Sequence, residues 1–330
     1  MSHIVCLGGG TGTFTVLSGL KKHDLKLSAV VSIADNGGST GILRDELGVL
    51  PPGDIRQCLV ALSGEDQLMR KLFMYRFHEG MLSGHNFGNI FLSALEKVTG
   101  DPLSAIDAAH KILDVNGQII PVSAVAANLF AELSDGVVLE GEKVVDKHDS
   151  DHSPIARCFL SPAVQANPRA LDAIREADVL ILGPGDLFTS LIPVLLVEGV
   201  KEAIAERKGQ TILVLNLVTR SGQVSSPLAS NFLETINQYL EPGSITDVIM
   251  NIRKPHPDMI QDYSNAGDMF IEDDLNGTSM PVIHRVDCLS DKQPENVVGD
   301  KLKRSLIRHD SEKLAQAIIN ACKAQNRTEQ

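Results

Sequence analysis

Apolar residues arrive along this chain in short unbroken runs, and between the runs they recur three and four positions apart. Residues 3–7 (Ile4-Val5-Cys6-Leu7) are such a run and 27–33 another, interrupted only by Ser28 and Ser32, with residues 12–22 patterned as a helix between them. Continuous apolar runs belong to strands covered on both faces, so this opening predicts a parallel βαβ unit. Residues 43–49 predict a short helix ended by Pro51-Pro52-Gly53, and Asp54 is placed to cap a helix reaching about Ser63.

From residue 66 to 113 the spacing is helical, with Leu68, Leu72 and Phe73 on one face and Phe91, Leu92, Leu95 and Val98 on another. This predicts a helical insertion over about 54–115. Residues 119–122, 129–133, 137–139 and 144–145 then predict short strands, with Ser134-Asp135-Gly136 as a hairpin turn, hence an antiparallel extension. The α/β rhythm resumes with strands at 177–182, 211–215 and 245–250 and helices at 168–176, 188–207, 227–239 and 311–324. The expected architecture is one α/β domain over 1–330. It is Rossmann-like and doubly wound, with a mainly parallel sheet, a small helical insertion and an antiparallel extension.

Composition narrows the function. A formal net charge of −12 argues against general nucleic-acid binding, and three Tyr with no Trp leave few stacking platforms. The five cysteines (Cys6, Cys58, Cys158, Cys288, Cys322) are scattered without metal-ligand spacing, which reads as reduced thiols in the cytoplasm. No basic segment precedes the first strand, so no signal peptide is read there. The longest apolar candidate, 187–200, is interrupted by Thr189, Ser190, Pro193 and Glu198, so no membrane span is expected.

Three glycine-rich segments follow predicted strands. Gly8-Gly9-Gly10-Thr11-Gly12-Thr13 follows the first, Asp35-Asn36-Gly37-Gly38-Ser39-Thr40-Gly41 the second, and Gly183-Pro184-Gly185-Asp186-Leu187-Phe188-Thr189-Ser190 a later one. Glycine admits positive φ and close ligand approach, and free N–H groups ahead of a helix attract phosphate. The first loop falls short of a full dinucleotide fingerprint because Thr13 stands where the third Gly belongs. Asp35 sits where a ribose-binding carboxylate, a metal contact or a substrate contact would be expected; Asn36-Gly37 is also compatible with a plain turn. Asp186 reads as a helix cap, and Thr189 and Ser190 as phosphate contacts.

Five ordered motifs, namely Gly8-Gly9-Gly10-Thr11-Gly12, 35–41, Pro51-Pro52-Gly53-Asp54-Ile55-Arg56, Gly84-His85-Asn86-Phe87-Gly88-Asn89 and Leu182-Gly183-Pro184-Gly185, resemble the YvcK-type (YbhK-type) gluconeogenesis factors. That group is related to the 2-phospho-L-lactate transferases, and the resemblance covers nearly the whole chain. It implies a bacterial cytoplasmic protein that binds UDP-sugars and supports cell shape and wall synthesis on gluconeogenic carbon. The transferase relatives imply a guanine nucleotide, a phosphorylated precursor and Mg²⁺. Carried over by motif, Gly9, Gly10, Thr11 and Gly12 face the nucleotide, joined by Asp35, Asn36, Ser39, Asn86, Asn89, Gly183, Gly185, Thr189, Ser190, Asn216 and Arg308. The third loop departs from the family's common Ser and Tyr at Asp186 and Phe188, and 216–220 departs from its usual wording.

Other residues keep two readings. Arg44 and Arg56 either neutralise phosphate or form internal pairs with Asp45 and Asp54. His85 is a base or ligand contact, or a structural histidine bonded to a carbonyl. Asp35 and His85 are the catalytic candidates, if there is catalysis. Asp146, His148, Asp149, Asp151 and His152 form a metal-like cluster, but their irregular setting favours a solvated loop, and no resident metal is expected. Mg²⁺ would arrive with a nucleotide diphosphate. No nucleophile elbow or P-loop occurs. The preferred function is a nucleotide-sugar sensor acting through a protein partner. A Mg²⁺-dependent transferase of a phosphoryl-linked group comes second and a dehydrogenase last. A homodimer is the default assembly.

Overall fold

Every residue of strand β1 (His3–Gly8) is buried, as an unbroken apolar run requires. The computed structural model describes all residues except 65–66, 149–152, 220–225, 258, 261–267, 278–279, 292–306 and 329–330. β1 leads through helix α1 (Gly10–Leu20) to β2 (Lys26–Val31). Four helices then follow β2 closely: α2 (Gly38–Leu47), α3 (Pro52–Leu62), α4 (Gln67–Met74) and α5 (Phe87–Thr99). A fifth, α6 (Pro102–Ile112), leads to β3 (Gln118–Pro121).

β4 (Asn128–Leu133), β5 (Val138–Glu140) and β6 (Ile155–Ser161) make a separate antiparallel sheet, with the short helix α7 (Glu142–Asp146) between β5 and β6. The main sheet resumes after α8 (Pro168–Arg175) with β7 (Val179–Leu182), and after α9 (Ile192–Leu195) and α10 (Val200–Glu206) with β8 (Gln210–Val214). β9 (Val218–Thr219) pairs with β11 (Met269–Phe270) outside it. Helix α11 (Ala229–Asn237) precedes β10 (Asp247–Asn251), and β12 (Val282–Val286) forms the far edge. The order β12-β10-β8-β7-β1-β2-β3 is parallel throughout, which is the doubly wound arrangement expected from the apolar runs.

Alternation inside the runs assigns the two faces. Val5, Leu7, Val30, Leu180 and Leu182 pack under α8, α9, α10 and the antiparallel sheet. Ile4, Cys6, Ala29, Val31 and Ile181 pack under α1, α3 and the last helix, Ser311–Thr328. Glycine is required at Gly19, where a Cβ would lie 2.0 Å from the Ser311 carbonyl oxygen and hold the two helices apart. All five cysteines are free thiols, four of them buried. No helix among the described residues is long and apolar enough to cross a membrane.

Several local expectations are corrected. Residues 119–122 belong to the parallel sheet as β3, not to the antiparallel extension. Residues 144–145 are helical, in α7, because the Gly141 turn (φ +92°) starts a helix there. β6 and β12 carry too few consecutive apolar residues to stand out, being half-exposed. The helix expected over 188–207 is three pieces: a π-turn at Leu187–Leu191, α9 and α10. Pro193 lacks the N–H that would continue the ladder, and Gly199 (φ +95°) turns the chain left-handed. Asp54 is not a cap but a first-turn residue of α3, whose cap position is held by Pro51.

Candidate functional site

The sheet reverses its direction of growth between β1 and β7. From β1 the chain builds outward to β2 and β3, then returns to β7 on the other side and builds on to β12. Loops leaving the C-terminal ends of the two strands at such a point diverge, and a crevice opens between them. Here they are the first and third glycine segments.

Those two loops touch backbone to backbone. A Cβ on Gly12 would lie 1.9 Å from the Pro184 carbonyl oxygen, and a Cβ on Gly9 would lie 2.0 Å from Asp54 Oδ2. Gly9 stands at the start of α1, and Gly10 takes φ +65°, left-handed backbone that favours glycine. Thr11 is exposed on the first turn. Asn216 clamps the third loop: its Oδ1 accepts the Gly185 N–H (3.1 Å) and its Nδ2 donates to the Gly185 carbonyl (2.9 Å). Thr189 is buried and Ser190 half-buried on the π-turn, and Gly183 has φ +71°. Asp186 holds the cap position of that turn without a side-chain capping bond, which corrects its reading as a cap.

The second loop joins from β2. Asp35 accepts the Gly37 N–H (2.8 Å). Asn36 Oδ1 accepts the Lys143 N–H (2.9 Å), tying the loop to the start of α7. That contact brings Glu142 close: a Cβ on Gly37 would lie 3.3 Å from Asp35 Oδ1 and 3.6 Å from Glu142 Oε2.

Ser39 is buried at the start of α2 and gathers three residues of the helical region. Its Oγ accepts from the Asn86 N–H (3.3 Å) and from Asn89 Nδ2 (3.4 Å), and lies 3.2 Å from His85 Nδ1. Asn86 caps α5 by accepting the Asn89 N–H (3.2 Å). Asn89 Oδ1 and Arg56 Nε are buried without a hydrogen-bond partner.

Three carboxylates give this place its electrostatic character. Burial pushes Asp35 upward, against the Gly37 and Thr40 hydrogen bonds and the nearby Arg44 and Arg56 charges. Burial raises Asp54 to about 7, reinforced by Asp35. Burial raises Glu142 to about 9, helped by the negative charges of Asp35, Asp146, Asp54 and Asp186. Gly53 seats the group, because a Cβ there would lie 2.7 Å from Asp35 Oδ2 and 2.4 Å from Thr40 Oγ1. Arg56 is the buried cation beside them, lowered to about 10 by burial; its Nη1 donates to the Phe73 carbonyl (3.3 Å). Arg44 pairs with Asp45 (3.0 Å), and it also borders a groove of 480 Å³ walled by Val49, Leu50, Glu96, Pro102 and Val125.

Sequence reasoning passed over Asp54 and Glu142 as members of this group. Each is one carboxylate in an ordinary helical turn, and only the contacts to Gly9 and Asn36 bring them to Asp35. Arg308 is joined to the crevice wall indirectly. Its carbonyl accepts the Ser290 N–H (2.9 Å), and the neighbouring His309 hydrogen-bonds the Leu215 backbone beside Asn216. Of the metal-like cluster, Asp149, Asp151 and His152 lie outside the described residues, and His148 Nε2 lies 3.0 Å from the Ser153 carbonyl. Among the described residues, no three His, Cys, Asp or Glu side chains are grouped so as to hold a metal ion unaided.

Residues 4–287 match the family model described as 2-phospho-L-lactate transferase CofD. The chain is 34% identical over 325 residues to the gluconeogenesis factor of Bacillus subtilis, covering 97% of this chain and 98% of that one. It is 39% identical over 251 residues to that of Halalkalibacterium halodurans, covering 76% and 77%. A crystal structure of a UPF0052 family member from Bacillus halodurans superposes with a TM-score of 0.88 at 32% identity, covering 96% of this chain and 99% of that one.

Proposed function

The chain belongs to the CofD family, and from that premise we propose that it is a gluconeogenesis factor whose crevice binds a nucleotide diphosphate sugar, a UDP-sugar, together with Mg²⁺. The observation that carries this reading is the raised carboxylate group at the switch point. Asp35, Asp54 and Glu142 are held together at a cost that a divalent cation would relieve. The N–H groups at the starts of α1 and α2 supply the complementary site for phosphate.

Magnesium fits this set, because it keeps much of its water and needs only one or two carboxylates besides the phosphates. Asp35 and Asp54 would hold it, and the ion would neutralise diphosphate charge. Gly38 leaves the backbone open to phosphate oxygens, whereas the Gly10 N–H is held by the Asp54 carboxylate. Asn86 and Asn89 come from the helical side; the lone Asn89 Oδ1 matches a sugar or ribose hydroxyl. Thr189, Ser190 and the Asn216-clamped loop close the other wall. Such a chain senses the nucleotide sugar in the cytoplasm and supports gluconeogenic growth, cell shape and wall synthesis through a protein partner.

A transferase of a phosphoryl-linked group is the second reading. Asp54, raised to about 7, is in the range of a general base able to take a proton from an attacking hydroxyl at neutral pH. Calorimetric titration with Mg²⁺ against UDP-N-acetylglucosamine, GDP and NAD separates the readings. Binding of the UDP-sugar, recovered intact, is the expected result. Preference for GDP or consumption of the ligand moves the function to the transferase, and binding of none of them refutes the crevice.

A further inference from the structure

The groove that Arg44 borders adjoins the crevice, and the two share helix α2. Thr40, in the first turn of α2, hydrogen-bonds Asp35, and Arg44 follows four residues later on the same helix face. Arg44 is close enough for its charge to act on Asp35. From Gly38, open to phosphate at the start of α2, to Arg44 is about 9 Å along the helix. A diphosphate seated at Gly38 therefore sets the sugar it carries alongside Arg44.

The groove holds polar groups that the protein leaves unused. Arg44 Nε donates to Asp45 (3.0 Å), and the Arg44 side chain is only 13% exposed. Among the described residues, nothing accepts a hydrogen bond from its Nη1 and Nη2 atoms. The Asn128 amide and the Ser161 hydroxyl, which line the same groove, have no partner among them either. Glu96 Oε1 and Oε2 accept the Leu50 N–H (3.2 and 3.1 Å) and keep lone pairs for a second donor. Val49, Leu50, Pro102 and Val125 form apolar walls, and a volume of 480 Å³ is in the range of small-molecule sites.

Charge selects among ligands. The groove carries one cation, Arg44, against two acids, Asp45 and Glu96, so a bare anion gains no net attraction there. The free edge of the guanidinium offers a two-point seat to a single carboxylate. Glu96, Asn128 and Ser161 suit the hydroxyl and amide groups of a sugar. A sugar bearing one carboxylate meets both demands, whereas a neutral sugar leaves the guanidinium edge to water.

We propose that this groove is the sugar subsite of the crevice and selects nucleotide sugars whose sugar carries a carboxylate, with Arg44 as the residue that recognises it. The proposal rests on the reading that the crevice binds a UDP-sugar.

UDP-glucuronate and UDP-glucose differ only by a carboxylate in place of a hydroxymethyl group, so the pair isolates this contact. Calorimetric titration of the full chain with Mg²⁺ should show UDP-glucuronate bound about tenfold or more tighter. Arg44→Gln should bring that ratio close to one. Arg44→Lys, which keeps the charge without the planar fork, should restore part of it. The parent's own ratio tests the proposal even if Arg44→Gln fails to fold. Equal binding of both ligands by the parent would overturn the proposal and leave the crevice reading standing. So would an undiminished ratio in Arg44→Gln, or an equal loss of both ligands, which would make Arg44 a support for Asp35 or the diphosphate. Binding of neither ligand by the parent would overturn the crevice and the groove together.

Discussion

Glu142→Gln should stabilise the ligand-free chain, and by an amount that grows with pH. Burial and four neighbouring acids raise the Glu142 carboxyl from 4.5 to about 9. The folded state therefore keeps a proton that the unfolded chain has released over the whole interval between those values. That uptake costs nothing below the ordinary carboxylate range and rises by about 1.4 kcal/mol per pH unit above it. At pH 7 the cost reaches up to about 3 kcal/mol, and at pH 5 it is under about 1 kcal/mol. Glutamine keeps the shape and hydrogen-bonding capacity of the protonated acid without the titration. With an unfolding entropy of about 2 cal/mol/K per residue, the variant should melt about 4 °C above the parent at pH 7 and only about 1 °C above it at pH 5. Differential scanning calorimetry at both pH values, without divalent ions, reads this directly. An equal gap at both pH values, or no gap at pH 7, would refute the account of Glu142 as a buried proton-holding group.

Three further outcomes follow from named contacts. Gly12→Ala places a Cβ against the Pro184 carbonyl, so it should force the first and third loops apart, lower stability by about 1–3 kcal/mol and abolish UDP-sugar binding in titration. Tyr239→Phe removes the hydroxyl that accepts the Cys158 N–H (2.9 Å), leaving that donor unsatisfied; denaturant melts should show a loss of about 1–3 kcal/mol. Ser39→Ala unties Asn86, Asn89 and His85 together, so ligand affinity should fall about tenfold or more in calorimetry while α2 itself remains helical in circular dichroism.

Much of the architecture was legible because buried parallel strands leave a strong mark. Ile4 to Leu7 and 179–182 are apolar at every position and 27–31 at all but the buried Ser28, since both faces of the sheet are covered, and they stood out without further help. β6 and β12 did not, because each has a solvent-facing side and mixed residues such as Arg157 and Arg285. The break in the 188–207 helix was marked by Pro193 and by Gly199, but neither residue type alone says whether a helix kinks, ends or restarts.

The same division holds at the crevice. The order of the chain by itself determined that three glycine segments leave strand ends and that Asp35, Ser39 and Asn86 flank helix starts, because turns, caps and backbone freedom are local properties. Which segments meet is not local. The sheet order β8-β7-β1-β2 sets the third loop beside the first, although about 170 residues separate them in the chain. Asn36 draws in Glu142 across a gap of more than 100 residues, and Gly9 admits Asp54. The raised carboxylates exist only because those contacts bring like charges together in a water-poor place, so their chemistry belongs to the tertiary structure.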